Sequence, residues 1–80
     1  MDTVDDLFDK VQNKKSFFAF VKALEKDFVN NQQEWENITI DQFLESSTAW
    51  AEDSDFDLKE NTWKQFAGFL YSGKFYEWNT

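Results

Sequence analysis

The stretch SFFAFVKALEKDFV, residues 16–29, carries the clearest helical periodicity in this chain and decides its fold class. Its apolar residues recur every three or four positions, which places one set on a single helical face: Phe17, Phe20, Val21, Leu24 and Phe28. We expect Ser16 to cap this helix and the helix to end near Val29. Phe18 falls outside the apolar face, so it either packs against a preceding helix or stays partly exposed.

A short helix is expected before this stretch. Thr3 followed by Asp6 has the spacing of a capping box, in which each side chain accepts a hydrogen bond from the other residue's backbone N–H. The same segment places its apolar residues on one side: Val4, Leu7, Phe8 and Val11. We expect the helix to end between Gln12 and Lys14.

Thr39 and Gln42 predict a second capping box, opening a helix that runs to about Glu52. The expected apolar face consists of Ile40, Phe43, Leu44, Trp50 and Ala51. At 100° per residue, Asp41, Glu45 and Glu52 share the opposite face, so this helix is predicted to be amphipathic.

A last helix is expected to start at Asp57 or Asn61 and to end at Ser72, with Gly73 as its stop signal. Its core-facing residues would be Trp63, Phe66, Ala67 and Leu70. The aromatic tail, residues 74–78, should either lie back across the helices or form a short extended piece.

Eighty residues without Cys indicate one domain, 1–80, stabilised by packing alone. The predicted fold is all-α: a small three-helix core with a short additional N-terminal helix and an aromatic C-terminal tail packed on it. Residues 38–40 and the tail are the two places where an extended conformation competes.

The residue content excludes the common catalytic machineries. There is no His and no Cys, which excludes Ser-His-Asp and Cys-His arrangements and the usual zinc sites, so we expect no enzyme, no metal site and no cofactor. Direct nucleic-acid binding is not expected, because eight Lys face sixteen acids. No segment has the apolar length of a membrane span, so the prediction is a cytoplasmic protein, monomeric or weakly dimeric.

Acidic residues concentrate in one part of the chain. Residues 34–60 hold nine carboxylates against Lys59, which equals the net charge of −8: Glu34, Glu36, Asp41, Glu45, Glu52, Asp53, Asp55, Asp57 and Glu60. Such a run either solubilises the domain or steers a basic partner protein. The second interpretation predicts a protein-binding module, for example an inhibitor or immunity-type protein, with these partner-binding residues: Asp41, Glu45, Glu52, Asp53, Asp55, Trp35 and Glu36.

Two alternatives remain open at this stage. Asp53, Asp55 and Asp57 match the first three ligand positions of an EF-hand calcium loop, which suggests weak cation or small-ligand binding. The rest of that motif fails, because Leu58 stands where Gly is needed and Lys64 stands where a bidentate Glu is needed. The other alternative is a structural domain that self-associates through aromatic residues not assigned to the core.

The order of these motifs resembles a known family. The pattern is F-x-x-F, W-E-N, F-L-E, W, W-x-x-F-A, Y-E. It is formed in chain order by Phe17, Phe20 and Leu24 with Asp27, the segment 34–37, the segment 43–45 with Trp50, then Trp63, Phe66-Ala67 and Tyr76-Glu77. This pattern resembles small acidic bacterial proteins classed as a domain of unknown function, over about residues 17–77. The resemblance implies a free-standing domain and no particular activity. We expect Trp35 to cover the bundle and Asn37 to shape the turn before the next helix.

Overall fold

A computed structural model describes residues 3–54 and 62–76 of the chain. Within these ranges it contains four helices and no strand: α1 (Val4–Asp9), α2 (Lys14–Asn30), α3 (Ile40–Asp53) and α4 (Thr62–Phe75), with a 3-10 turn at Gln32–Glu34 between α2 and α3. The all-α prediction is confirmed. Residues 38–40 form no strand: Thr39 has an extended backbone as the cap of α3, and Ile40 is the first helical residue.

Helix α4 occupies the centre of the fold. It packs against α1, α2 and α3, whereas the described parts of α2 and α3 do not pack against each other. The most extensive helix contact is between α3 and α4, followed by that between α1 and α2. The apolar residues of α4 are accordingly spread around its circumference instead of forming one stripe.

The capping box predicted at Thr3 and Asp6 is confirmed, with both reciprocal hydrogen bonds formed. The predicted end of α1 near residues 12–14 is wrong, because the helix ends at Asp9. Its last turn is closed by short-range bonds from the N–H groups of Lys10 and Val11 to the carbonyls of Leu7 and Phe8.

The prediction that Ser16 caps α2 is also wrong. Asn13 is the cap, since its Oδ1 accepts from the Ser16 N–H at 2.9 Å, and Ser16 Oγ accepts from the Asn13 N–H at 3.0 Å. Ser16 is therefore the third helical residue and the reciprocal partner in the box. On the same helix, Phe18 is 48% exposed.

Helix α3 begins as expected, with the Thr39 hydroxyl accepting from the Gln42 N–H at 3.4 Å. The second half of the predicted box is displaced by one residue, since Gln42 Oε1 accepts from the N–H of Ile38 at 3.3 Å. The helix ends at Asp53, one residue beyond the expected end.

The apolar face predicted for α3 is only partly buried. Ile40 is 78% exposed and Leu44 is 52% exposed, whereas Ser46 and Ser47 are fully buried. Phe43 and Trp50 are half-buried on the side of the serines. Compared with the expectation, the helix is therefore rotated about its axis, so that Ser46 and Ser47 are turned inward while Ile40 and Leu44 stay in water.

Small residues allow this close approach between α3 and α4. A Cβ placed on Gly68 would lie 2.9 Å from Cη2 of Trp50, and one on Gly73 would lie 2.7 Å from Cζ of Phe43. Phe43 lies next to Gly73 and Trp50 next to Gly68, so the two helices run antiparallel. The prediction that Gly73 stops α4 is wrong: the helix continues to Phe75, and no described glycine has a positive φ.

The buried apolar cluster comes from α2, α4 and two connecting segments, and partly buried residues of α1 and α3 pack against it. Its members are Val11, Phe20, Leu24, Trp35, Ala67 and Tyr71. Phe20 and Leu24 confirm the expected face of α2. Phe66 was expected in the core and is 41% exposed, whereas Tyr71, unassigned from the sequence, is 8% exposed. No helix in the described ranges combines the length and apolar character needed to cross a membrane.

The contact between Gly73 and Phe43 gives a first prediction. We expect Gly73→Ala to lower the free energy of unfolding by about 1–3 kcal/mol, because the new Cβ overlaps the Phe43 ring. Helix propensity alone would raise stability by about 1 kcal/mol. Urea unfolding of Gly73→Ala, Phe43→Leu and the double variant would measure the coupling, and a more stable Gly73→Ala would contradict the packing.

The buried serines give a second prediction. The hydroxyls of Ser46 and Ser47 have no hydrogen-bond partner among the described residues. An unpaired buried hydroxyl costs about 1–3 kcal/mol, so Ser46→Ala should leave the melting temperature unchanged or raise it. Ser46→Val, which adds volume at the same position, should lower it. A clear loss of stability in Ser46→Ala would show that the hydroxyl has a stabilising partner.

Candidate functional site

The Trp-Glu-Asn segment, residues 35–37, connects three parts of the fold. Trp35 is 9% exposed. Its ring packs edge-on against Phe28 of α2 at 4.9 Å and stacks near Phe43 of α3 at 6.3 Å, measured between centroids. Trp35 thus fills the space between two helices that do not contact each other directly, which agrees with the expected covering role.

The indole N–H of Trp35 donates to Oδ2 of Asp27 at 2.8 Å. The same carboxylate accepts from Asn31 Nδ2 at 3.1 Å and pairs with Lys74 Nζ at 2.8 Å. The side chains of Lys74 and Asp27 are 16% and 13% exposed. Asp27 therefore joins α2, the Trp35 segment and the end of α4 through charge-assisted hydrogen bonds.

The surroundings of Asp27 favour its ionised form. Burial by itself raises the pKa of this carboxyl, but the hydrogen bonds from Lys74, Trp35 and Asn31, with the positive charge of Lys74, together hold the pKa below its usual value. The carboxylate is accordingly occupied by internal partners. Its arrangement is that of a structural ion pair rather than of an acid or base waiting for a substrate.

Glu36 and Asn37 complete this connection through the end of α4. The backbone N–H of Glu36 donates to the carbonyl of Lys74 at 2.9 Å. Asn37 Nδ2 donates to the carbonyls of Gly73 at 3.1 Å and Tyr76 at 3.4 Å. These bonds satisfy carbonyl groups that the end of a helix leaves unpaired. We call the set Asp27, Trp35, Glu36, Asn37 and Lys74 the clamp.

The exposed side of α3 is the candidate functional site. Asp41, Glu45 and Glu52 are exposed and lie on one side of the helix, opposite the buried serine side. Ile40 and Leu44, also exposed, flank them. We call Asp41, Glu45 and Glu52 the acidic face.

A shallow depression of about 400 Å³ runs along this side of α3. It is lined by Leu44, Glu45, Thr48, Ala49 and Glu52, so apolar and acidic side chains share one surface. Its floor is mainly apolar and two of its five lining residues are carboxylates. A ligand that fits it would need apolar groups and positive charge close together.

The acids of α3 differ in their local partners. Asp41 accepts a hydrogen bond from the Thr39 hydroxyl, which together with the backbone N–H of Gln42 lowers its pKa. Asp53 accepts from the Tyr76 hydroxyl, which raises the pKa of Tyr76. Asp41 and Asp53 thus support local structure, whereas Glu45 and Glu52 face the depression.

Other residues expected at the site have different positions. Trp35 is buried in the clamp, so its ring is not presented to a partner, and Glu36 contributes its backbone to the clamp while its side chain is exposed. Asp55 and Asp57 lie outside the described residues, as do the predicted starts of the last helix. Among residues 3–54 and 62–76, no group of three or more acids is placed to hold a metal ion.

Sequence reasoning missed the pairing of Asp27 with Lys74. Asp27 stands in the recognised pattern, but only the folded chain brings Lys74 beside it, 47 positions later. The prediction that a tail begins at Lys74 also obscured the pair, because Lys74 and Phe75 belong to α4. The signal available in the sequence was the position of Asp27 at the edge of the apolar face of α2.

Fold and site define a small all-α domain with a clamped helix end and an exposed acidic face. The chain matches the model of the Family of unknown function (DUF7660) over residues 13–77, and it belongs to that family. The match includes α2, α3, α4 and the Trp35 segment, whereas α1 precedes it. Comparison with curated proteins and with solved structures gives no match.

The clamp gives a third prediction. Because the folded-state pKa of Asp27 is lowered, its stabilisation is present above the ordinary value of 3.8 and is lost as pH falls below it. We expect Asp27→Asn to cost about 1–3 kcal/mol at neutral pH, since Lys74 loses its counter-charge. The variant should also lose less stability than the native chain on acidification.

Urea unfolding at neutral pH and at pH values below 3.8 would measure both effects. Glu25→Gln is the matched control, because Glu25 is an exposed acid on the same helix. Equal losses in the two variants would contradict a special role for Asp27.

Proposed function

We propose that this domain is a non-enzymatic interaction module that binds a basic protein through the exposed side of α3. The observation that carries the proposal is the combination of exposed Ile40 and Leu44 with exposed Asp41, Glu45 and Glu52 on one helix. A basic amphipathic segment has the matching chemistry. Its apolar residues would cover Ile40 and Leu44, and its Lys or Arg residues would approach the acidic face.

The apolar part of the surface supports binding rather than solubility alone. A purely solubilising face needs only charges, whereas Ile40 leaves 78% and Leu44 leaves 52% of its area in water. Ile38, just before the helix, is 50% exposed. Neighbouring apolar residues with a polar rim are typical of protein interfaces.

The charge distribution supports a basic partner. The sequence contains no Lys or Arg between Lys26 and Lys59, so no basic residue interrupts the acids of α3 along the chain. A surface of one sign speeds association with a partner of the opposite sign and makes binding depend on salt, because screening lengths are about 8–10 Å at ordinary ionic strength.

The non-enzymatic part of the proposal rests on residue content and on how the acids are used. The chain has no His and no Cys. The most buried described carboxylate with a shifted pKa, Asp27, is committed to the clamp and is shifted toward its ionised form. A general acid at neutral pH requires a shift in the other direction.

The fourth prediction tests the acidic face by charge reversal. The variant Glu45→Lys/Glu52→Lys leaves Asp41 in place, because Asp41 stabilises the start of α3. We expect this variant to bind a basic partner at least about tenfold more weakly at low salt, as two interface charges become repulsive. The measurement is capture of proteins from host lysate on the immobilised domain, followed by titration of a captured protein.

The matched control is Asp9→Lys/Glu25→Lys. This control changes the net charge by the same amount as the test variant. Like the test variant, it reverses one acid in the middle of a helix, Glu25 of α2, and one near a helix C-terminus, Asp9 of α1, and both are exposed. The proposal requires that the control binds like the native chain. Equal weakening in both variants would reduce the effect to net charge, and no salt-sensitive capture by the native chain would contradict the proposal.

Self-association is the competing explanation for the exposed apolar residues. Sedimentation of the native chain at two concentrations distinguishes it, because a dimer formed through Ile40 and Leu44 would dissociate on dilution and in Leu44→Ser. A stable dimer that buries this side of α3 would replace the proposed partner by a second copy of the chain.

A further inference from the structure

A second cleft lies away from the exposed side of α3, where α1 and the end of α4 meet. Its walls are the aromatic rings of Phe8, Trp50, Tyr71 and Phe75, and Asp5 supplies a carboxylate. Gly68 and Ser72, two small residues of α4, also line it. The cleft volume is about 270 Å³, just below the range of about 300–1,000 Å³ typical of drug-sized ligands.

The rings are arranged around Tyr71. Its centroid is 5.2 Å from that of Phe8 at an interplanar angle of 48°, and 5.1 Å from that of Phe75 at 59°. The rings are therefore tilted instead of stacked flat, and both Phe8 and Phe75 pack on Tyr71. Phe75 is 49% exposed although it belongs to this group, so its ring borders the open side of the cleft.

The electrostatics of the cleft favour a cation. The Tyr71 hydroxyl donates to Oδ1 of Asp5, which keeps the carboxylate directed to the ring. Burial is the largest cause that raises the pKa of Tyr71, and the charges of Asp5, Asp27 and Asp9 raise it further. Tyr71 therefore stays protonated and neutral, and Asp5 is the carboxylate that lines the cleft.

One aromatic ring of the cleft already contacts an ammonium group. Lys64 Nζ lies 4.2 Å from the centroid of Phe8 and donates to the carbonyl of Phe8. Contacts of this kind arise because the face of an aromatic ring is electrically negative. Lys64 does not line the cleft, and its charge would repel a second cation at Phe8, so the carboxylate of Asp5 has to offset it.

We propose that this cleft binds a quaternary or methylated ammonium group. Several aromatic faces with one nearby carboxylate match the requirements of such a cation, which is bulky, weakly hydrated and attracted by ring faces. A free choline-type molecule and a trimethylated lysine side chain share this chemistry. The site is separate from the acidic face, and its test is independent of that proposal.

The test compares two probes of the same shape on the full chain. Choline carries the cation, and its neutral isostere has a carbon atom in place of the quaternary nitrogen. We expect millimolar choline to shift the indole N–H of Trp50 and the amides of Gly68 and Ser72 in proton–nitrogen correlation spectra. The isostere should bind about tenfold more weakly, because it lacks the charge that the rings and Asp5 attract.

Variants locate the site on the structure. Asp5→Asn removes the charge at an exposed position and should weaken choline binding severalfold without changing the affinity for the isostere. Phe75→Leu should weaken choline binding as well. Phe66→Leu is the matched control, because Phe66 is a partly exposed phenylalanine on the same helix that does not line the cleft.

Each outcome decides the proposal. Equal affinity for the two probes, unchanged spectra with choline, or equal effects of Phe75→Leu and Phe66→Leu would overturn it. If Phe75→Leu fails to fold, the probe comparison and Asp5→Asn still decide. A peptide with trimethylated lysine that binds more tightly than both choline and the unmethylated peptide would identify a protein ligand, and tighter binding of choline would identify a small molecule.

Discussion

The hydrogen bond from the Trp35 indole to Asp27, with Lys74 on the same carboxylate, is the interaction on which the remaining arrangement depends. It joins α2 to the end of α4 and holds the Trp35 ring between Phe28 and Phe43. Helices α2 and α3 lack direct packing in the described residues, so they are coupled through this ring and through α4, which packs against both. A half-buried charge that loses its partner is costly, which makes the clamp cooperative.

The central position of α4 also determines which surfaces the domain exposes. Close contact with α3 requires small residues, and the rings of Trp50 and Phe43 occupy the space left by Gly68 and Gly73. This contact turns Ser46 and Ser47 inward and leaves Ile40 and Leu44 in water. The packing that stabilises the helix pair therefore produces the mixed apolar and acidic surface assigned to a partner.

Both proposals rest on excess negative charge, but in different forms. On α3 the acids are exposed along one side of the helix, which suits steering of a basic protein that binds over an extended surface. In the cleft beside Tyr71 one carboxylate is combined with aromatic faces, which suits a compact cation. Helix α3 contributes to both surfaces from different sides, since Glu45 and Glu52 face solvent whereas Trp50 faces α4.

The sequence by itself determined the helices, the caps at Thr3 and Thr39, the buried residues Phe20 and Leu24, and the concentration of acids in residues 34–60. The helical period of apolar residues and the capping chemistry are local properties, so they can be predicted without knowing which segments pack together in the folded chain. Only the tertiary structure decided the rotation of α3, the burial of Tyr71, the role of Gly73 and the partners of Asp27. These depend on which helix covers which face, because a side chain is buried by residues that are distant in sequence.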